Sequence, residues 1–326
     1  MPANLPPQYF EAEKRFRSAK NPEDKVMALE EMLAIMPKHK GTDHLKAELR
    51  RRIAKLTQEA EKKSGVKRAS MLIEKEGAAQ VVIVGFPNSG KSRLVGSTTK
   101  AAPQVADYPF TTYNAIPGMM EFENIQIQLV DTPPFSEQPV EWWMRHLLVR
   151  ADAVILLIDL AGEPLVQMEE IVRKLGKMRV GLIGGNLENG DETIIYHKRA
   201  MVVANKVDLE GSGDKYLWLK EKLPGTLPII SVSASTGIGL EELRCQVYRM
   251  LDIIRVYTKA PGHKPELDDP IVIARGSTLA DAAEAVHKDF RANLKYARIW
   301  GSGKHDGVMA KRNHVLEDGD IIELHL

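Results

Sequence analysis

The sequence lacks the residues and segments on which several protein classes depend. It has a single cysteine, Cys245, so no internal disulfide can form, which is typical of a reducing compartment. Its nine histidines show no H-x-x-x-H spacing and no Cys/His pattern, so we expect no zinc site. No apolar run approaches the roughly eighteen residues that span a bilayer, and the first four residues show no secretory signal pattern. We therefore expect a cytoplasmic protein with no membrane partner.

An excess of charge of either sign is also missing. The chain has 45 Lys and Arg residues against 44 Asp and Glu residues, a net charge of +1, so its overall field indicates nothing about nucleic acid. Its 326 residues, 44% of them apolar, are enough for two or three domains with full cores. The evidence for function therefore lies in local motifs.

A phosphate-binding loop follows the first strand-like segment. Residues 81–84 are apolar and favour a strand, and they run into a G-x-x-x-x-G-K-S sequence at residues 85–92. Backbone N–H groups of such a loop turn inward and cradle phosphates. We expect Lys91 to reach the β- and γ-phosphates and Ser92 to hold Mg²⁺. The residues predicted to bind nucleotide here are Gly85, Asn88, Ser89, Gly90, Lys91 and Ser92.

A second motif predicts which base is bound. The apolar residues 201–204 end in the N-K-x-D sequence of residues 205–208. The Asp208 carboxylate can accept two hydrogen bonds from guanine N1–H and its exocyclic amine. Adenine lacks this donor pair, so an ATPase is disfavoured. We expect Asn205 to tie this loop to the phosphate loop and the Lys206 stem to cover the face of the base.

Two further strand ends complete the predicted site. Residues 228–232 lead into Ser233 and Ala234, where we expect a backbone N–H near Ala234 to contact guanine O6. Residues 125–130 lead into Asp131, which stands where the outer-shell carboxylate of Mg²⁺ belongs.

The inner magnesium shell needs one more ligand. The segment at residues 107–112 reads D-Y-P-F-T-T. A threonine at this point can close over the γ-phosphate and give its hydroxyl oxygen to Mg²⁺. On the residues alone, either Thr111 or Thr112 fits.

Together, these four motifs resemble those of the Obg-related GTPases, and residues 255–326 look like the TGS domain of the developmentally regulated GTP-binding proteins. The resemblance covers roughly residues 78–326. It implies that Thr112, rather than Thr111, binds Mg²⁺. It also implies a potassium-stimulated GTPase, because Asn88 occupies the loop position where such enzymes carry asparagine. The catalytic residues expected from this reading are Lys91, Thr112 and Asn88.

Two positions depart from the family pattern. Pro134 replaces the glycine of the D-x-x-G motif, and proline has no N–H with which to sense a γ-phosphate. Phe135 follows at the position where Ras-like enzymes carry the glutamine that orients water. Both changes predict slow hydrolysis and a weakened switch. The alternative is a guanine-nucleotide-sensing module with negligible turnover.

The chain divides into three predicted domains. Residues 1–75 read as two or three helices. Residues 78–254 alternate strands and helices, which predicts an α/β P-loop GTPase domain: a mostly parallel sheet with helices on both faces. Residues 255–326 suit a compact β-grasp module, the TGS domain, with one helix from Leu279 to Phe290. Residues 179–198 look like a small hairpin inserted before the guanine-reading strand.

The N-terminal helices carry a local positive charge. The second helix and its extension contain Lys46, Arg50, Arg51, Arg52, Lys55, Lys62, Lys63, Lys67 and Arg68. One interpretation is a solvated helix face, and the other is contact with RNA phosphates. Besides GTP and GDP, the resemblance implies the ribosome or another RNA as partner, through these helices and the TGS domain.

Overall fold

The computed structural model describes residues 6–19, 22–36, 43–64, 73–99, 116–135, 142–184, 194–223, 227–301 and 306–325. Within these ranges no helix is long and apolar enough to cross a membrane. The chain forms an N-terminal helical unit, a central α/β domain and a C-terminal β-grasp domain.

The N-terminal unit contains three helices: α1 (Pro7–Ser18), α2 (Pro22–Ile35) and α3 (Asp43–Ser64). Apolar residues three and four positions apart lie on one face of each helix. These faces meet in a small core of its own, formed by Tyr9, Ala12, Leu29, Met32, Met36 and Leu49. The unit therefore has an apolar core separate from that of the central domain.

The central domain is a doubly covered sheet. Its strands are β1 (Ala79–Gly85), β2 (Ile116–Phe122), β3 (Ile125–Asp131), β4 (Ala153–Asp159), β5 (Val180–Ile183), β6 (Tyr196–Asn205) and β7 (Ile229–Val232). Its helices are α4 (Lys91–Thr98), α5 (Trp142–Arg150), α6 (Pro164–Lys177), α7 (Ser212–Lys222) and α8 (Leu240–Leu251). The strand order is β2-β3-β1-β4-β6-β5, and β7 pairs with the second half of β6. Only β2 is antiparallel among the described strands, which confirms the predicted mostly parallel sheet.

The uninterrupted apolar run in β1 follows from this architecture. Val81 and Ile83 pack into the core on one face of the sheet, which includes residues of α4 and α8. Val82 and Val84 pack into the core on the other face, with residues of α5, α6 and α7. A strand buried on both faces needs apolar residues at every position.

The hairpin predicted at residues 179–198 is wrong. β5 runs parallel to β6, with Val180 opposite Tyr196 and Ile183 opposite Arg199, so both strands belong to the main sheet. Val180 and Leu182 are buried there, whereas a protruding two-stranded hairpin would leave much of their surface in water. The Asn-Gly turn signal on which the prediction depended lies outside the described residues.

The C-terminal domain contains β8 (Ile253–Thr258), β9 (Glu266–Ala274), β10 (Tyr296–Trp300), β11 (Asp306–Ala310) and β12 (Ile321–His325), with α9 (Leu279–Val286) and α10 (Lys288–Asn293). The five strands lie in the order β11-β10-β12-β8-β9. The single helix predicted from Leu279 to Phe290 is in fact two helices. His287 is extended (φ −160°), and its ring accepts a hydrogen bond from the Asp289 N–H in the first turn of α10.

Candidate functional site

The predicted motifs meet at one edge of the sheet. Strands β1, β3, β4, β6 and β7 run parallel, so their carboxyl ends lie together. The register places Asp131 beside Ile83 and Asn205 between Asp159 and Val232. Ligand loops of α/β sheets lie at this edge.

The phosphate loop needs its glycines for two different reasons. A Cβ on Gly85 would lie 2.7 Å from the carbonyl O of Leu157 and 2.8 Å from Ser89 Oγ. A Cβ on Gly90 would lie 2.3 Å from Asn205 Nδ2, and Gly90 also has φ +94°. Asn88 has φ +62°, a conformation that asparagine adopts more readily than most residues. Close approach and backbone conformation therefore both fix the loop.

Lys91 lies inside this loop. Its Nζ donates to the carbonyl O of Gly85 at 3.2 Å and of Phe86 at 2.9 Å. Burial lowers the pKa of the Lys91 ammonium, although the nearby Asp131 opposes the shift. Lys91 also begins α4, so the N-terminal amides of that helix face the same loop and favour an anion there.

A hydroxyl and a carboxylate form a candidate magnesium site. Ser92 Oγ donates to Asp131 Oδ2 at 2.5 Å, and Asp131 Oδ1 is buried without a hydrogen-bond partner among the described residues. Burial raises the pKa of Asp131, while Ser92 and Lys91 act to lower it. A buried carboxylate oxygen left unpaired beside a hydroxyl fits a hard divalent cation such as Mg²⁺. Both candidate threonines, Thr111 and Thr112, lie outside the described residues.

Asn205 connects the guanine-reading loops to the phosphate loop. Its Nδ2 donates to the Ser89 carbonyl O at 2.8 Å, and its Oδ1 accepts from the Ala234 N–H at 3.0 Å. The side chain of Asn205 is buried, so three loops are held in one arrangement. The Ala234 N–H, which the sequence predicts to contact guanine O6, therefore already donates to Asn205. A guanine O6 would share this N–H with the Asn205 side chain.

Asp208 presents an exposed carboxylate beside two serines. The hydrogen bond from Ser233 lowers the pKa of Asp208, and Ser235 Oγ lies 3.4 Å from Asp208 Oδ2. The two serine hydroxyls lie 3.0 Å apart. An ionised carboxylate held in this way is the acceptor that a guanine edge requires.

Two residues of the site were not predicted from the sequence. Asp159 Oδ2 lies 2.5 Å from Lys206 Nζ, so an ion pair orients the lysine stem. Gln167 holds Asp159 in turn, because its Oε1 accepts from the Asp159 N–H and its Nε2 donates to the Asp159 carbonyl O, both at 2.9 Å. Asp159 could have been identified from its position, because it is an acidic residue at the end of the apolar strand β4. That strand lies next to β6, which ends in the N-K-x-D motif.

The segment after Asp131 packs against the phosphate loop. The Phe135 N–H donates to the Gly85 carbonyl O at 3.0 Å, and the Phe135 side chain is buried. Lys174 Nζ lies 5.6 Å from the centre of the Phe86 ring and 5.8 Å from that of Phe135. Pro134 has no N–H and is exposed. Neither Pro134 nor Phe135 therefore offers an unused backbone donor.

Comparisons with known proteins identify the domains and relatives of this chain. Residues 80–206 match the family described as 50S ribosome-binding GTPase, and residues 254–326 match the TGS domain. A GTP-binding protein of Methanocaldococcus jannaschii is 30% identical, with 93% of this chain and 92% of that protein aligned. Developmentally-regulated GTP-binding protein 2 of Bos taurus is 26% identical over 92% of this chain and 98% of its own length.

A solved structure supports the fold. The YchF GTPase of Schizosaccharomyces pombe covers 77% of this chain and 99% of its own, with a TM-score of 0.52 and 15% identity. At this identity the likeness concerns the fold alone.

Proposed function

The chain belongs to the Obg-related GTPases with a C-terminal TGS domain, together with the developmentally regulated GTP-binding proteins, and from this premise we propose that it is a slow, Mg²⁺-dependent molecular switch. The observation that supports this most is the buried Asn205, which joins the phosphate loop to the loops of Asp208 and Ala234. Phosphate and guanine recognition are thereby parts of one site.

In this proposal, each residue has a separate task. Lys91 and the amides of the phosphate loop bind the phosphates, and Asp208 accepts from the guanine edge. Ser92 and Thr112 would hold Mg²⁺ directly, with Asp131 as its outer-shell carboxylate. The ion would neutralise charge that develops on the phosphate oxygens.

Slow turnover is proposed because the usual water-positioning groups are missing. Phe135 is apolar and buried, and Pro134 cannot donate to a γ-phosphate. Asn88 stands at the loop position where a potassium ion would supply positive charge between phosphate oxygens.

The competing proposal, a guanine-nucleotide sensor with negligible turnover, is favoured by the Phe135 N–H, which is already bonded to Gly85.

Base choice tests the guanine assignment. Asp208→Asn exchanges two acceptor oxygens for one acceptor and one donor. We expect GDP affinity to fall about 10-fold or more and affinity for xanthine nucleotides to rise, measured by competition with a fluorescent GDP. Wild-type protein that binds ADP as tightly as GDP would show that the assignment is wrong.

We also propose the ribosome or another RNA as partner, through the basic helix α3 and the TGS domain. Arg50 and Arg51 are exposed on α3, whereas Arg52 is paired with Glu48. Exposed cations can neutralise phosphates and release counterions.

A double glutamine variant distinguishes the two interpretations of the basic helix α3, contact with RNA and a solvated helix face. Arg50→Gln with Arg51→Gln should weaken co-sedimentation with ribosomes and make its salt slope shallower by about two. Arg173→Gln with Lys177→Gln, which removes two exposed cations from α6, is the matched control. Co-sedimentation that is unchanged across the salt series would favour the solvated face.

A further inference from the structure

A buried carboxylate joins the N-terminal unit to the central domain. Glu31 of α2 is only 4% exposed. Its Oε1 lies 2.6 Å from Arg145 of α5, and its Oε2 lies 2.9 Å from Arg15 of α1 and 3.6 Å from Arg179. Three guanidinium groups from three parts of the chain thus surround one carboxylate, and we name these four residues the Glu31 cluster.

The Glu31 cluster joins two parts of the central domain, α5 through Arg145 and the residue before β5 through Arg179, and Arg145 Nε also donates to the Met178 carbonyl O at 3.0 Å. Arg145 lies in the first half of α5, the helix that follows the segment after Asp131, where GTPases place their second switch. The other end of α5 is held, because Lys198 Nζ donates to the carbonyl O atoms of Val149 and Ala151 at 2.6 and 2.7 Å. Arg179 precedes β5, a strand of the central sheet. A shift of the first half of α5 would therefore break both the contact of Arg145 with Glu31 and its hydrogen bond to the Met178 carbonyl O.

The contacts within the Glu31 cluster are not all well aligned. Arg15 Nη2 and Glu31 Oε2 form an ion pair at 2.9 Å, but among the described residues neither atom has a hydrogen-bond partner of good geometry. Next to the cluster, His146 of α5 lies 3.7 Å from Glu30. Ion pairs regain hydration when they separate, so a polar junction opens more readily than an apolar one. The N-terminal unit has its own apolar core, separate from the two cores of the central domain.

The position of Phe135 indicates which nucleotide state the cluster fits. Pro133 and Pro134 have no N–H, so the next backbone donor along the chain, and our candidate for sensing a γ-phosphate, is Phe135. In the described arrangement this N–H donates to the Gly85 carbonyl O. It must leave that oxygen before it can reach a γ-phosphate, and α5, which begins at Trp142, is the next described element along the chain. The Glu31 cluster as described therefore fits the state in which no γ-phosphate is sensed.

We propose that the face of α5 around Arg145 is an interaction surface for α2 of the same chain, attached through Glu31 with GDP and released with GTP. The inference rests on the proposed guanine-nucleotide function. Release would move the basic helix α3 with the rest of the N-terminal unit. Glu31 acts in this as a positioning residue for α5.

A distance measurement tests the release directly. Spin labels at Ala34→Cys on α2 and Val172→Cys on α6, both exposed positions, are introduced with Cys245→Ala into the full chain. With GDP we expect one narrow distance distribution. With a non-hydrolysable GTP analogue we expect it to shift or broaden by about 5 Å or more.

Three variants then assign the effect to the cluster. Glu31→Gln should give the broad distribution with both nucleotides, and it should raise affinity for the analogue relative to GDP about 5-fold or more, because coupling is reciprocal. Arg179→Gln should do the same and leaves the N-terminal unit unchanged, which guards against a folding defect in α2. Glu48→Gln, the same change at an exposed ion pair on α3, should behave as wild type.

The possible failures are distinguishable. Identical distances with GDP and the analogue, when both bind tightly, would overturn the release mechanism and leave the proposed function standing. A Glu31→Gln variant that keeps the wild-type difference would overturn the role of the cluster. If neither nucleotide binds, as measured on the same samples with a fluorescent GDP, both the inference and the proposed function are wrong.

Discussion

The central domain meets its two neighbours through junctions of different construction. The C-terminal junction combines polar and aromatic contacts. Arg255 of β8 bonds to the turn between β2 and β3 and lies 5.3 Å from the centre of the Tyr248 ring of α8, and the Tyr248 hydroxyl donates to Asp318 at 2.7 Å. The N-terminal junction centres on the Glu31 cluster and reaches α5. One neighbour thus contacts a tight turn of the sheet, and the other contacts the helix α5.

The two junctions differ in which part of the central domain they contact. Asn124 in the β2–β3 turn donates to Tyr257 at 2.7 Å and to the Leu267 carbonyl O at 2.8 Å, so the turn holds two strands of the C-terminal domain. Neither contact involves the segment after Asp131. We therefore expect the C-terminal domain to stay in place during nucleotide exchange, while the N-terminal unit moves.

Breaking the C-terminal junction should have the largest effect on stability. Arg255→Gln leaves the largely buried carboxylate of Asp318 without its guanidinium partner, which should cost about 3 kcal/mol of unfolding free energy. Denaturant unfolding of the GDP complex measures this cost. Arg173→Gln, which removes an exposed pair with Glu170, should cost less than about 1 kcal/mol. Equal losses of unfolding free energy in the two variants would show that Arg255 does not stabilise the C-terminal junction.

Acid should loosen the same junction by a smaller amount. Burial alone would raise the pKa of Asp318, but the hydrogen bonds from Arg255 hold it below the ordinary value. A lowered folded pKa stabilises the fold above the unfolded pKa of about 3.9, and this contribution is lost as pH falls through the folded pKa. Unfolding free energy measured from pH 5 down to pH 3 should therefore fall more steeply in wild type than in Asp318→Asn. Parallel pH profiles would contradict this reading.

Short-range features of the fold could be predicted from the sequence. The apolar strands, the glycines of the phosphate loop and the N-K-x-D motif all depend on neighbouring residues, and the mostly parallel sheet follows from their alternation with helices. The parallel pairing of β5 was missed because four residues beside an Asn-Gly signal fit a hairpin as well as a sheet strand. The break at His287 was missed because the amphipathic pattern continues through it.

Long-range polar contacts could not be predicted. Glu31 and Arg145 lie more than a hundred residues apart, as do Arg255 and Glu123, and each looks like an ordinary surface charge in the sequence. Burial and convergence, which only the folded chain creates, turn them into junctions. Asp159 was overlooked for the same reason, because its partner Lys206 lies directly after the neighbouring strand β6.

Single-turnover hydrolysis of GTP tests the central claim, a slow switch that uses Asn88 and a monovalent cation. We expect measurable hydrolysis with Mg²⁺ in potassium chloride and a slower rate in sodium chloride at equal ionic strength, because the smaller ion keeps its water more firmly. Asn88→Gly removes the side chain while tolerating φ +62°, so it should lower the potassium-dependent rate by about 10-fold or more and spare GDP binding. Hydrolysis that is absent in both salts, or identical in both, would contradict the account and favour the non-hydrolysing sensor.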